Sequence, residues 1–465
     1  MNSYVMKGDR QGSGENREPA LLAGLFLLAF LLRLASFTGL IASDDLGYAE
    51  FARRIADASY APYSHHYAVR FGFIVPAGLI YALAGISEWS TIALPLFASS
   101  LSVVLLALIG ARLFGVQAGL AAGLLYATFP VELRYATVFV PEAVAGCYVL
   151  LAVLAHVRTQ DRATVALGAL AGACIGLAYL TKEPALFVAP ALFIDAALRR
   201  RWRQALGIAA GVAAVIAAEH AYYLATTGDL LFRFHSVAAH NLGNAPRYDD
   251  GIGLAYRLFQ SYPRMMLVPN LHFGLHSLAA LVLSAAALWA LRKDRRAHFL
   301  LLWAALPWIY LNFGSSSLTH YVPIPVAPRY IAFAYPALFL LSAWLLAELA
   351  SKRIWAKQGV VAGVAAVLLV GVVSGQLTRA TGYRTDEVAV LRAIAQRIER
   401  EAPGCVWFDL DAGRQTDRQK TYWRETLYIL GGGRIRECGG ASGGVAIGRD
   451  RLGLPYVASG TRSSD

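Results

Sequence analysis

Long apolar stretches alternate with short polar or basic connections along most of this chain. A helix needs about 20 apolar residues to cross a bilayer. Stretches that meet or approach this run over 20–42, 90–111, 116–131, 138–157, 164–180, 184–198, 205–225, 271–291, 298–313, 329–349 and 358–376. One more, 71–87, is short and is interrupted by Gly72, Pro76, Gly78 and Gly85. The pattern predicts an all-α polytopic membrane protein. The first stretch reads as a retained anchor, since no small-residue cleavage pattern follows a short apolar run. Between 43 and 70 the periodicity changes. Tyr48, Phe51, Ala52 and Ile55 share one face of a helix running from Leu46 to Ala58, with Glu50, Arg53, Arg54 and Asp57 on the other. Such a helix is expected to lie in the interface plane, apolar face down.

Composition narrows the class. Hydrophobic residues make up 57% of the 465 and charged residues 15%, against about a quarter charged in soluble chains, so a water-soluble enzyme is excluded. A net charge of +12 in a soluble protein would raise nucleic-acid binding. Here the basic residues cluster between apolar stretches, at Arg158 with Arg162, at Arg199, Arg200, Arg201 and Arg203, at Arg292, Lys293, Arg295 and Arg296, and at Lys352, Arg353 and Lys357. Under the positive-inside rule all four clusters are cytoplasmic, and no nucleic-acid partner is expected. Counting from a cytoplasmic N-terminus, they fall inside only if 71–87 does not fully cross. The expectation is therefore about eleven transmembrane helices, juxtamembrane helices in the first external loop, and an extracytoplasmic C-terminus. The predicted organisation is a cytoplasmic tail over 1–19, a transmembrane unit over 20–376 and a small external α/β domain over 377–465, helix-like at 386–401 and strand-like at Cys405–Phe408. Cys405 and Cys438 both lie in this tail, where an oxidising compartment permits a disulfide; a bridge and two free thiols both remain open.

The scarce charges on the outer side carry the candidate chemistry, because ionisable groups at membrane depth are costly and mark sites or pairs. Asp44 and Asp45 open the first external loop, where one caps the helix or one serves as a general base. Glu142 starts the 138–157 span, and Lys182 sits on the narrow apex Thr181-Lys182-Glu183. These two form either a structural ion pair or part of a site. Arg329, in Pro328-Arg329-Tyr330, and Arg70, at the entrance to 71–87, are either interfacial arginines or phosphate ligands. Carboxylates suit deprotonation of a hydroxyl, and cations suit phosphate oxygens. His65-His66 offers two metal ligands, but adjacent histidines rarely chelate one ion without others, so no cofactor is assigned and a divalent metal stays open.

The stretch Asp44-Asp45-x-x-Tyr48-Ala49-Glu50-x-x-Arg53 resembles the first-loop motif of GT-C-type membrane glycosyltransferases, especially the protein mannosyltransferase-like enzymes and the lipid A aminoarabinose transferase. The resemblance continues through Gly85-Ile86-Ser87-Glu88, Arg112-Leu113-Phe114-Gly115, Pro141-Glu142, Gly176 to Lys182 and Pro328-Arg329-Tyr330. It implies transfer of a sugar from a polyprenyl-phosphate carrier to an acceptor on the outer face of the cell membrane. Asp44 then corresponds to the catalytic acidic position, Asp45 to its acidic neighbour and Glu142 to a second acidic position. Lys182 and Arg329 would lie near the lipid-linked phosphate, with inversion by direct displacement implied, and Arg70 and Tyr330 join them as candidate substrate- or phosphate-binding residues. The acceptor would be an envelope glycan, lipid or protein. Gly47 stands where the aminoarabinose group usually has arginine, and His65-His66-Tyr67 lacks that group's Glu-Lys-Pro element, so lipid A is not implied as acceptor. A transporter or flippase, and a ligase of lipid-linked glycans, are the competing classes. The first needs polar or broken helices at the bilayer midplane, and the second a larger external cavity.

Overall fold

The computed structural model describes residues 17–158, 164–243, 253–317, 321–352, 354–380, 385–401, 405–408, 414–438, 445–449 and 454–457. The predicted tail before 17, Arg162 and Arg353 lie outside them. Helix accounts for 77% of the structure, in keeping with the all-α expectation. In order come α1 (Arg17–Ala35), α2 (Asp44–Ala56), α3 (Phe71–Ala84), α4 (Glu88–Phe114), α5 (Val116–Ala127), α6 (Pro130–Tyr135), α7 (Glu142–Arg158), α8 (Val165–Thr181), α9 (Ala189–Leu198), α10 (Trp202–Thr227) and α11 (Phe232–Gly243). There follow α12 (Tyr262–Leu267), α13 (His276–Ala290), α14 (Arg295–Phe313), α15 (Tyr335–Lys352) and α16 (Ile354–Ala380).

Among the described residues, α4 and α10 are long and apolar enough to cross a membrane by length and composition, and six shorter apolar helices accompany them. The 14 residues of α3 rise only about 21 Å at 1.5 Å per residue, well short of a hydrocarbon core of about 30 Å. This segment packs against α8 and α2. A Cβ on Gly72 would meet Thr181 and the Leu177 carbonyl of α8, and one on Gly78 would meet Ala52 and Ile55 of α2.

Several apolar stretches are less continuous than their hydropathy implies, and proline is the reason. The stretch 116–131 divides before Pro130, helix α7 starts only after Pro141, a 3-10 turn (Glu183–Val188) with Pro184 precedes α9, and another (Pro328–Phe333) precedes α15. Proline lacks an N–H and fits the first turn of a helix, not its interior. Consequently Glu142, Lys182 and Arg329 all sit at breaks between helical segments.

Helices α8 and α10 approach through small residues, as helices commonly do where lipid removes the hydrophobic drive. A Cβ on Gly168 or Gly172 would meet the Gln204 or Ile208 carbonyl, and one on Gly207 or Gly211 would meet the Val165 or Ala169 carbonyl. Gly172→Val is expected to cost about 1–3 kcal/mol by forcing the helices apart, read as a lower melting temperature in detergent. Gly24→Val, with nothing within 4 Å, should stay within about 0.5 kcal/mol of the parent.

The tail builds its own hydrophobic cluster from Leu391, Ile394, Val406, Trp423, Leu427 and Ile447. Helices α17 (Thr385–Glu401) and α18 (Arg414–Leu430) flank β1 (Cys405–Phe408), β2 (Arg436–Glu437), β3 (Val445–Arg449) and β4 (Pro455–Val457), in the sheet order β2-β1-β3-β4. Strand β1 runs parallel to β2 and β3, and β4 is antiparallel to β3. Cys405 and Cys438 are bridged, which decides between the two states left open by the sequence. The tail touches the bundle near the first loop. Arg392 Nη2 donates to Glu88 Oε1 at 2.6 Å, and the Arg53 guanidinium lies 5.8 Å from the Tyr428 ring centre.

Candidate active site

Helix α2 starts two residues before the predicted Leu46, so both aspartates lie in its first turn. Neither caps it in the usual way, because Ser43 holds the N-cap position and makes no side-chain cap bond. Asp45 reaches backward instead. Its Oδ2 accepts from the Ile41 amide at 2.7 Å and its Oδ1 from the Ser43 amide at 2.6 Å. These bonds close a turn in which Ala42 sits at φ 50°, a left-handed conformation that costs of order 1–3 kcal/mol for a residue with a Cβ. Asp45 is fully buried, and burial, opposed by the amides, lifts its carboxyl to about 6. Its geometry makes it a brace for the turn that aims its neighbour.

Asp44 points the other way, into a cavity of about 420 Å³, within the usual range for small-molecule pockets of roughly 300–1,000 Å³. Its Oδ1 accepts from the Tyr67 hydroxyl at 2.8 Å and its Oδ2 from Arg329 Nη2 at 2.7 Å. Burial raises the carboxyl, but Arg329 and the Tyr67 hydroxyl outweigh it and hold it below the usual aspartate value. Tyr67 reaches Asp44 because Gly47 leaves room: a Cβ there would collide with the Tyr67 ring. The glycine that departs from the aminoarabinose pattern thus has a structural reason in this chain.

Arg329 is shared. Its Nε lies 3.1 Å from Glu142 Oε1, the same oxygen that sits 3.3 Å from Lys182 Nζ. The ammonium of Lys182 rests 4.3 Å from the Tyr330 ring centre. Burial opposes the lysine's charge, and Tyr330 and Glu142 more than offset it, so its pKa is raised. The ion pair expected as one reading of Glu142 and Lys182 therefore exists, with Lys182, Asp44 and Arg329 lining the cavity and Glu142 pairing with both cations.

Arg70 belongs to a second charged group along the same cavity. It pairs with Glu183, whose Oε1 also lies 3.0 Å from Arg233 Nη2. Arg233 Nη1 donates to Glu219 Oε1 at 2.7 Å and to the Val69 carbonyl, while Nη2 donates to the Tyr179 carbonyl at 2.8 Å. Burial raises Glu183, but Arg70 and Arg233 outweigh it and hold it at about 2. Glu219, Arg233 and the pairing role of Glu183 escaped the sequence reading. A lone carboxylate inside the apolar stretch 205–225 was the available signal, since it demands a partner. His66 and His240 also line the cavity; burial lowers both, His240 to about 4.

A helical bundle with short helices after its first long helix, and acidic and basic groups gathered at one cavity beside them, has a fold like that of solved GT-C glycosyltransferases. Residues 74–223 match the dolichyl-phosphate-mannose-protein mannosyltransferase family, a segment that contains Glu142, Lys182, Glu183 and Glu219. ArnT from Cupriavidus metallidurans, solved bound to undecaprenyl phosphate, superposes with a TM-score of 0.59 at 14% identity, covering 94% of each chain. The oligosaccharyltransferase of Archaeoglobus fulgidus, in a structure with zinc and sulfate, gives 0.56 at 13% identity over 90% of this chain. The present chain spans 62% of that protein. The archaeal enzyme AglB has also been solved with an inhibitory peptide and a dolichol-phosphate, giving 0.56 at 12% identity. No curated protein sequence matches the chain.

Proposed function

We propose that this chain is a membrane glycosyltransferase that moves a sugar from a polyprenyl-phosphate carrier to an acceptor hydroxyl on the outer face of the cell membrane. The supporting observation is a carboxylate, Asp44, facing the same cavity as two cations, Lys182 and Arg329, that its neighbours keep charged. About eleven crossings, a cytoplasmic N-terminus and an external tail over 377–465 accompany this reading, which follows from the basic clusters. Asp44 takes the acceptor proton as the acceptor oxygen attacks the anomeric carbon. The bond from that carbon to the phosphate oxygen breaks, and the electron pair leaves with the polyprenyl phosphate. One displacement inverts the anomeric centre. Lys182 and Arg329 stabilise the charge that develops on the departing phosphate, and Arg70 and Tyr330 complete that end of the cavity. Asp45 acts by holding the turn beneath Asp44.

The sharing of Arg329 adds a control step. A carboxylate held below its ordinary pKa is a weak base. An arriving phosphate competes for Arg329, and as the guanidinium turns toward it, Asp44 regains basicity in the complex that needs it.

Membranes containing the chain are expected to transfer label from a synthetic polyprenyl-phosphate sugar and to release free polyprenyl phosphate. Lys182→Gln should raise the KM for the donor about 10- to 100-fold, the worth of a charge-assisted bond. Equal transfer by membranes lacking the chain, with both hexose and pentose donors, would rule the proposal out.

A further inference from the structure

His65 and His66 lie in the loop before α3, and His240 lies near the end of α11, far away in sequence. The fold brings the three together. One ligand atom from each lies within 4.8 Å of the others. The His66 and His240 ring centres are 3.6 Å apart, His65 and His66 4.6 Å, and His65 and His240 5.5 Å. His66 is buried, and its Nδ1 has no hydrogen-bond partner. A buried polar nitrogen left unmet costs about 1–3 kcal/mol, which a bound cation would remove. On His65, the Tyr67 amide donates to Nδ1 at 3.4 Å, which leaves Nε2 for a ligand and holds the ring from its other side.

We infer that His65, His66 and His240 hold one divalent transition-metal ion of the zinc class, tying the loop before α3 to α11 at the wall of the cavity. Three imidazoles are the donor set that suits zinc, copper or nickel and not magnesium or calcium, which take oxygen ligands. Tetrahedral zinc at about 2.0–2.1 Å from each nitrogen needs nitrogens about 3.4 Å apart, so the rings must draw together by an ångström or so, a movement that side-chain rotation supplies. His66 and His240 both line the cavity, so a fourth position opens toward it, the arrangement of three protein ligands plus one exchangeable oxygen found in open zinc sites.

The consequence for the site is positional. Tyr67, next to His66, donates to Asp44, and Arg70 follows three residues later in the same loop. On the other side, α11 carries Arg233, which anchors Glu183 and Glu219. A metal joining these two elements sets the spacing between the Asp44 and Arg233 ends of the cavity. The site itself does not depend on glycosyl transfer being the reaction.

The test uses the full chain purified in nanodiscs with an affinity tag free of histidine. After equilibration with micromolar zinc and removal of the excess, mass spectrometry should find about one zinc ion per chain. His66→Ala and His240→Ala, each checked for a single monodisperse elution peak, should lose most of it, whereas His298→Ala should keep it. Chelation should lower the melting temperature of the parent and leave the two variants unmoved. Cobalt(II) in place of zinc should give the visible bands of a four-coordinate ion only when all three histidines are present. Equal zinc content in the parent and in folded His66→Ala and His240→Ala chains would overturn the inference, as would a parent that binds none. Failure of sugar transfer with zinc still bound would instead count against the proposed reaction alone.

Discussion

Asp44→Asn should lower the turnover of sugar transfer by about 10²- to 10⁴-fold, the usual contribution of a positioned general base, while the protein still folds. Asparagine keeps the size of the side chain and an oxygen for Arg329 or Tyr67, so the turn braced by Asp45 is undisturbed. What is lost is the ability to take a proton. The effect should therefore fall on kcat, with the donor KM changed much less, and the melting temperature should stay near that of the parent. The pH profile provides a second readout. Arg329 and Tyr67 hold Asp44 below the ordinary carboxylate value, so in kcat/KM, which reports the free enzyme, the acid limb should lie below the ordinary value for aspartate. Activity is lost only as pH falls through that depressed pKa. Arg329→Gln removes the main opposing charge and should move the limb upward. A variant Asp44→Asn with undiminished turnover would remove Asp44 as the base.

The second large effect concerns stability. Arg233→Met should destabilise the chain by about 3–5 kcal/mol, because breaking a buried charge network leaves its remaining members uncompensated. Arg233 is completely buried and serves Glu183, Glu219 and two backbone carbonyls at once. After its removal Glu183 keeps Arg70, but the side chain of Glu219, itself buried, loses its salt-bridge partner. Against a typical total of about 5–15 kcal/mol, the loss should show as a sharply lower melting temperature and a reduced yield of monodisperse protein. Adding Glu219→Gln to Arg233→Met should recover part of it, since the orphaned charge goes with the carboxylate. A single variant that melts like the parent would mean that the network contributes little.

The membrane class was legible because hydropathy is summed over some twenty residues at a time, a length at which local detail averages out. Local breaks were less so. Pro130, Pro184 and Pro328 are visible in the sequence, yet whether a proline kinks a span or starts a new turn depends on the elements packed around it. Asp44, Glu142, Lys182 and Arg329 were found one by one from the cost of a charge near lipid, and the structure brings them into one connected group, three of them lining a cavity. Beyond Glu142 with Lys182, the sequence did not reveal pairing. Arg233 looks like an ordinary charge on an amphipathic helix, and nothing local says that it reaches Glu219. His240 is silent for the same reason: its relation to His65 and His66 exists only after α11 folds back over the first loop. The two aspartates, equivalent by type, part ways through backbone geometry, one meeting amide groups and the other the cavity.

Glu88 carries one further consequence. Its Oε1 accepts from Arg392 of the tail at 2.6 Å and from the Leu40 amide at 3.3 Å, and Leu40 belongs to the turn that leads into Asp44. A single oxygen therefore links the disulfide-bonded tail to the turn before Asp44. Under the proposed reaction, displacing the tail helix is therefore expected to shift the turn that precedes Asp44 through this one side chain.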